Sequence, residues 1–205
     1  MLTIVDYGMG NLRSVRNAVA YLGGVAGVSS DPATIARSDK LILPGVGSFR
    51  RAMENIERRG IAHPLAEAVL HRKVPVLGIC LGMQLLATRG QEDGGASGLG
   101  WIQGEVVPFR FEDASLRVPH VGFNSVVATV PSSKVFGHLE EPTDFYFVHS
   151  YHFVCRDPAN ELARTPYCGG FVSAVSAGST VFGVQFHPEK SQKTGFQLLR
   201  NFIAI

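Results

Sequence analysis

The sequence predicts an α/β protein: a mostly parallel central sheet flanked by helices, with a nucleophile elbow in mid-chain and additional antiparallel strands in the C-terminal half. Three observations predict it. Short apolar runs alternate with stretches of helical apolar spacing through the first half, the pattern of a parallel sheet wrapped by helices. Gly78-Ile79-Cys80-Leu81-Gly82 puts a cysteine at a strand-to-helix junction between two glycines. From Gly100 onward helical spacing gives way to strand-like segments linked by turns.

Taken in order, Leu2–Asp6 reads as a short strand and Asn11–Leu22 as a helix with Asn11 as its cap. Val25–Ser29 is a weaker strand, and Asp31-Pro32 pairs an N-cap residue with proline at the first helical position. Leu41–Leu43 is a buried strand, Phe49–Arg59 and Pro64–Arg72 are helices, and Val76–Ile79 feeds the elbow. The helix after the elbow is read over Met83–Ala87, and the polar, glycine-rich Gln91–Gly98 as a mobile loop. Val106–Phe111, Ser125–Val130, Phe145–Val148, Phe171–Ser176 and Val181–Phe186 are strands, and Lys190–Ile205 is a closing helix with Phe196, Leu199, Phe202 and Ile203 on one face. The chain carries no internal repeat or linker and is expected to form one domain over residues 1–205.

The elbow carries the chemistry. A turn this tight excludes side chains beside it, which explains the flanking glycines, and it pushes the thiol out at the tip. A helix N-terminus following the cysteine would favour the thiolate, lowering a thiol pKa from its free value of about 8.5. A buried structural cysteine in a glycine-rich corner is the competing explanation, and two other segments weigh against it. Val181–Phe186 runs into His187-Pro188-Glu189. Proline biases the preceding residue toward extended backbone, and residues two apart on an extended chain face one side. His187 and Glu189 therefore point at one site. A thiol, an imidazole and a carboxylate that orients it make a nucleophilic triad. The second segment is Lys40-Leu41-Ile42-Leu43-Pro44-Gly45-Val46-Gly47-Ser48-Phe49, a strand breaking into a glycine loop before a helix. Glycine lets backbone N–H groups approach an oxyanion. One donor is expected at Leu81, directly after the nucleophile, and the other at Val46 or Gly47. No Gly-Lys-Ser/Thr follows, which excludes a Walker phosphate loop. A plain strand–helix turn is the bland alternative for this loop.

These three segments, in this order, resemble the triad-type (class I) glutamine amidotransferases nearly end to end: Cys80 matches the nucleophile of Gly-x-Cys-x-Gly, and His187 with Glu189 match His-Pro-Glu. Within that family, Asp6-Tyr7-Gly8-Met9-Gly10-Asn11, Val118-Pro119-His120-Val121-Gly122-Phe123-Asn124 and Phe145-Tyr146-Phe147-Val148-His149-Ser150-Tyr151 are similar to the glutaminase subunits of imidazole glycerol phosphate synthase. That subfamily usually has methionine and tryptophan where Val121 and Phe123 stand. The resemblance implies the class I amidotransferase fold and hydrolysis of L-glutamine to glutamate and ammonia through a Cys80 thioester, with His187 taking the thiol proton. It implies substrate contacts at Gln84, one helical turn past Cys80, and at Gly45, His149, Ser150 and Tyr151. It also implies a partner face including Asn11, His120 and Lys190. Nothing in these residues consumes ammonia, so a second polypeptide is expected to receive it. The resemblance names this partner as a (βα)₈-barrel cyclase producing imidazole glycerol phosphate and an aminoimidazole ribotide in histidine biosynthesis. Service to another synthase, or a catalytically silent regulatory subunit, are the alternatives. Because its glycines permit rearrangement at low steric cost, Pro44–Gly47 is the segment expected to adjust when partner binds.

Composition excludes other classes. The chain has 205 residues, 45% of them hydrophobic, and a formal net charge of +2. That supports a sizeable core, and the scattered Lys and Arg make nucleic acid a poor partner. The longest apolar stretch, Val74 to Ala87, falls short of the ~18–20 residues a membrane span requires. Asp6 directly after Ile4-Val5 leaves no room for a signal-peptide apolar region. Three cysteines without framework spacing point to a reducing cytoplasm, with Cys155 and Cys168 structural. Gly8-Met9-Gly10 lacks the third glycine of a dinucleotide fingerprint, Arg13 standing there. No His/Cys/Asp cluster has metal-ligand spacing, so no metal or cofactor is expected. His63, His71 and His138 read as surface residues.

Overall fold

The computed structural model describes residues 1–110, 117–130, 132–139 and 142–205. Its first half alternates as β1 (Leu2–Val5), α1 (Leu12–Tyr21), β2 (Ala26–Ser29), α2 (Pro32–Ala36), β3 (Lys40–Gly45), α3 (Phe49–Arg58), α4 (Ala62–Ala66), β4 (Val76–Cys80) and α5 (Leu81–Gln84). The remainder is β5 (Ala87–Gly90), β6 (Ala96–Ser97), β7 (Ile102–Pro108), β8 (His120–Ala128), β9 (Thr143–His149), β10 (Tyr151–Cys155), β11 (Glu161–Thr165), β12 (Phe171–Ala177), β13 (Val181–Val184) and α6 (Gln192–Ala204). Strands β2-β1-β3-β4-β13 lie parallel in that order. The sheet then continues antiparallel through β12, β10 and β7. Off this path, β11 links β12 to β8, which pairs antiparallel with β9.

Alternation along the parallel strands builds two apolar layers. Val5, Leu41, Leu43 and Val76 pack with Phe49, Ile56, Ile61 and Leu65 on one face of the sheet. Ile4, Ile42, Leu77 and Ile79 pack with Val15, Val19, Leu198, Leu199 and Phe202 on the other. Both faces are covered, as parallel sheets require. Local signals hold at the helix starts: Asn11 Oδ1 accepts the Ser14 N–H, and Asp31 Oδ2 accepts the Thr34 N–H with Pro32 in the first turn.

Several expectations need correction. The apolar Met83–Ala87 run is not a helix: α5 is a single turn and Ala87 opens β5. A lone turn sums few peptide dipoles, so the macrodipole contributes less at Cys80 than a full helix would. Gln91–Gly98 is pinned rather than loose. Residues Glu92–Gly94 form a 3₁₀ turn, β6 pairs with β5, and the Glu92 carboxylate accepts the Phe49 N–H at 2.7 Å, satisfying the N-terminus of α3. Within the expected helix Pro64–Arg72, α4 passes at Glu67–His71 into a π-helical turn. Pro44 and Gly45 belong to β3, paired with Ile79 and Cys80, which leaves only Val46-Gly47 as loop. The expected strand Val106–Phe111 starts earlier and ends at Pro108, and Phe111 lies outside the described residues. Strands β5, β10 and β11 carried no expectation. The β13 strand stops at Val184, but His187 keeps extended backbone, at φ −101° and ψ 95°.

Candidate active site

Cys80 ends β4 with φ 55° and ψ −111°, a conformation that costs a non-glycine residue of order 1–3 kcal/mol. Neighbouring glycines permit it by close backbone approach. A Cβ on Gly82 would lie 1.6 Å from the Leu43 carbonyl oxygen, and one on Gly78 would lie 2.6 Å from the Gly82 carbonyl oxygen. The elbow is thus wedged against β3, and the thiol is turned into a cleft of about 370 Å³. The cleft is lined by Val46, Gly47, Cys80, Leu81, Gln84 and Glu92 on one side and by Val148, His149, Ser150 and Tyr151 on the other.

β13 is hydrogen-bonded beside β4, which brings His187 to the cysteine from the far end of the chain. The His187 backbone N–H donates to the Tyr146 carbonyl at 2.9 Å, and Ser191 Oγ–H donates to the His187 carbonyl at 2.6 Å. Its imidazole Nδ1 lies 2.8 Å from Glu189 Oε1, both side chains being almost wholly buried. Burial alone would lower the His187 pKa, but the Cys80 sulfur and the Glu189 carboxylate outweigh it and raise the value to about 9. His187 Nε2 and Glu189 Oε2 are buried and meet no hydrogen-bond partner among the described residues. A buried carboxylate with one oxygen lacking a donor favours a cation beside it.

The other expected site residues divide. Leu81, Val46 and Gly47 share the cleft with Cys80, and so do Gln84, His149, Ser150 and Tyr151. Gly45 lies behind the cleft wall, register-paired with Cys80, where a Cβ would fall 2.1 Å from the buried Tyr7 hydroxyl. Asn11 caps α1, which packs against the Pro188–Lys190 turn, and Lys190 is exposed with its ammonium 5.7 Å from the Tyr146 ring centroid. His120 was expected on the partner face, but it is only 4% exposed. It stacks on Phe147 and Tyr167 and shares a 3.0 Å hydrogen bond with His149. The strand alternation of β8 turns His120 inward and Val121 and Phe123 outward. Burial pushes the His149 pKa down to about 3 and that of His120 to about 4, so both are neutral.

The class-I glutamine amidotransferase family model matches residues 3–205. The chain belongs to this family. It is 45% identical over 203 residues to imidazole glycerol phosphate synthase subunit HisH 2 of Methanococcus maripaludis, covering 99% of this chain and 98% of that one. It is 46% identical over 209 residues to the HisH subunit of Salinibacter ruber, covering 100% of this chain and 94% of the relative. In fold alone it is similar to the structure of PurLQS from Thermotoga maritima, with a TM-score of 0.77 at 19% identity over 99% of this chain and 97% of that one. The glutaminase domain of Trypanosoma brucei CTPS, solved with acivicin, gives 0.65 at 16% identity over 99% and 93%.

Two buried groups near Cys80, behind the lining of the cleft, were missed by sequence reasoning. Gln185 is fully buried, and its Nε2 lies 3.6 Å from the Cys80 sulfur. A glutamine in the apolar run Val184-Gln185-Phe186, two residues before His187, was the available signal. Tyr7 is also fully buried, its hydroxyl has no partner among the described residues, and burial with the nearby Cys80 raises its pKa.

Proposed function

We propose that this amidotransferase, acting as one glutaminase domain over residues 1–205, hydrolyses L-glutamine and passes the ammonia to a (βα)₈-barrel cyclase as the glutaminase subunit of a heterodimeric imidazole glycerol phosphate synthase. The observation that carries the reading is the buried Glu189–His187 pair brought against Cys80 at the tip of a strained elbow. A cleft of about 370 Å³ suits a small amino-acid substrate.

Against the burial that would lower it, the Cys80 sulfur and the Glu189 carboxylate raise the His187 pKa to about 9, which suits its imidazole to take the thiol proton. His187 takes the proton of Cys80. The thiolate attacks the side-chain amide carbon, and negative charge passes to the carbonyl oxygen, facing the Leu81 N–H and a donor from Val46 or Gly47. His187 gives its Nε2 proton to the amide nitrogen as the C–N bond breaks, and ammonia leaves. Neutral His187 next takes a proton from water as the water oxygen attacks the thioester carbon. The C–S bond breaks, glutamate is released, and thiolate and imidazolium are restored. Glu189 orients the imidazole and balances its charge throughout. Gln84, His149, Ser150 and Tyr151 border the substrate.

A partner face is supported beside the cleft. Val121 and Phe123 are 57% and 52% exposed, and Phe123 sits edge-on to Tyr146, over which Lys190 is placed. Exposed apolar side chains rimmed by a cation are suited to docking. Reduced Cys80, Cys155 and Cys168 fit a reducing cytoplasm.

The test is glutamate release by the complex with its cyclase, before and after labelling with a glutamine-analogue electrophile. Labelling on Cys80 with loss of glutamine-dependent synthesis is expected, and Cys80→Ala should abolish the same reaction while synthesis from added ammonium salts persists. Normal glutamine turnover by Cys80→Ala would overturn the assignment.

A further inference from the structure

The sulfur of Cys80 has a neighbour that the mechanism above does not use. Gln185 follows the last residue of β13, and its backbone N–H donates to the Ser173 carbonyl at 2.9 Å, so the segment is held in the sheet. Its side chain is fully buried, spanning from the sulfur, 3.6 Å from Nε2, to Gln84, whose Nε2 lies 3.0 Å from Gln185 Oε1. Burying an amide without partners would cost about 1–3 kcal/mol. Here both ends are engaged.

Which end faces the sulfur follows from the far end of the chain of contacts. The Tyr151 carbonyl oxygen is purely an acceptor. It receives Gln84 Nε2–H at 3.1 Å and lies 2.8 Å from His149 Nδ1, which must therefore carry its proton. Gln84 thus turns its nitrogen, and not its oxygen, toward both Tyr151 and Gln185. The Gln185 atom that meets it must accept, so it is Oε1. That leaves the Gln185 NH₂ group as the one presented to Cys80. A single backbone carbonyl sets the direction of every donor up to the nucleophile.

We propose that Gln185 is a further catalytic residue of this site: its amide N–H donates to the Cys80 sulfur and holds it as the thiolate, aimed there by Gln84. This rests on the reading of Cys80 as nucleophile. The physical basis is differential, because an N–H donor binds an anionic sulfur more strongly than a neutral one. The bond is strong while the sulfur is a thiolate, weakens when the sulfur is acylated, and is restored when the thioester breaks. It thus favours the charged state at the start of each turnover and as the leaving group at its end. Gln84 also borders the cleft, so the group that steers Gln185 is one the substrate would touch.

The titratable groups facing the sulfur are His187 with Glu189, from the turn after β13, and Tyr7, after β1. His149 lies beyond the Tyr151 carbonyl. None of them is altered in the following test. The rate of Cys80 alkylation by iodoacetamide is measured against pH in the complex by mass spectrometry, with Cys155 and Cys168 in the same sample as references. Gln185→Leu, similar in size but without a donor, should move the profile to higher pH and lower the rate at pH 7 by on the order of tenfold. Gln185→Glu keeps the shape, still accepts from Gln84, and places a carboxylate against the sulfur. Its profile should move further in the same direction, and it carries the test if the leucine variant fails to fold. Gln84→Leu should give a smaller shift of the same sign. Profiles that superimpose on the wild type in the folded Gln185 variants, or a Gln185→Glu profile displaced to lower pH, would overturn the proposal. Those outcomes leave the glutaminase reading intact, whereas normal glutamine turnover by Cys80→Ala removes the reading itself.

Discussion

His187 and the His149–His120 pair are all buried around the cleft, yet the first favours the charged ring and the other two the neutral one. The first is raised to a pKa of about 9, and the other two fall to about 3 and about 4. Burial lowers all three. The difference is in the neighbours. His187 meets the Cys80 sulfur and the Glu189 carboxylate, and each favours a proton on the ring. His149 meets the Tyr151 carbonyl, the His120 ring and the field of His187, and His120 meets His149 and the Asn124 amide nitrogen. Donors and acceptors in that second group are already matched by neutral rings, so an added proton would break a hydrogen bond as well as lack a counter-charge. Burial alone therefore does not assign a role to a histidine; the identity of its partners does.

Removing the charged side of this contrast should have the largest effect. His187→Ala is expected to lower glutamine turnover in the complex by on the order of 10⁴-fold or more, because in the proposed mechanism the ring moves protons in both half-reactions. Glu189→Gln should be roughly 10–100-fold less damaging, since the glutamine still orients the ring but no longer favours its charge. Steady-state glutamate release measures both. If Glu189→Gln were the worse of the two in folded protein, the division of roles would be reversed.

The contrast also makes opposite demands on pH. The folded pKa of His187 lies above its ordinary 6.5, so its stabilisation is complete below pH 6.5 and is lost as pH rises through about 9. For His149 and His120 the folded values lie below 6.5. The unfolded chain then binds more protons, and their contribution is present above pH 6.5 and lost as pH falls toward 4 and 3. Urea unfolding at fixed pH values should show both flanks. Glu189→Gln should weaken the alkaline loss and leave the acid one, and acid loss of wild-type steepness in a His120→Leu/His149→Leu double variant would contradict the assignment of that flank.

The smallest effect is expected for His120→Leu alone. It leaves the His149 Nε2 atom without its donor and the Asn124 amide without its acceptor, costing about 1–3 kcal/mol of stability. Turnover should change by less than tenfold, because His120 is one residue removed from the cleft. A loss comparable to His187→Ala would make the neutral pair part of the reaction chemistry.

Legibility differed between the halves of the chain. In the parallel half, β1, α1, α2, α3 and β4 were readable within a residue or two, because helix caps at Asn11 and Asp31 and alternating burial are local signals. In the second half, β10 and β11 were missed. Tyr151–Cys155 follows β9 after one residue, and Glu161–Thr165 is a short segment whose pairing with β12 shifts register twice. The misreading of Met83–Ala87 has a related cause. Five apolar or long side chains suit a helix, but Ala87 lies opposite Ile102 in a strand pairing that only the fold supplies. Polar segments read as free can also be held from afar, as Glu92 holds the start of α3.

The sequence by itself determined the elbow and the short link from His187 to Glu189, since both depend on sterics and extended geometry over a few residues. It likewise carried the apolar alternation that buries a parallel sheet on two faces. Tertiary structure alone decided what surrounds the sulfur. Gln185, 105 positions from Cys80, and Val148, 68 positions away, reach it only because β13 pairs with β4 and β9 closes over the cleft. The charge on each buried histidine was likewise decided there, because a pKa depends on the groups that folding brings within a few ångströms, and neighbours in space are not recorded by neighbours in sequence.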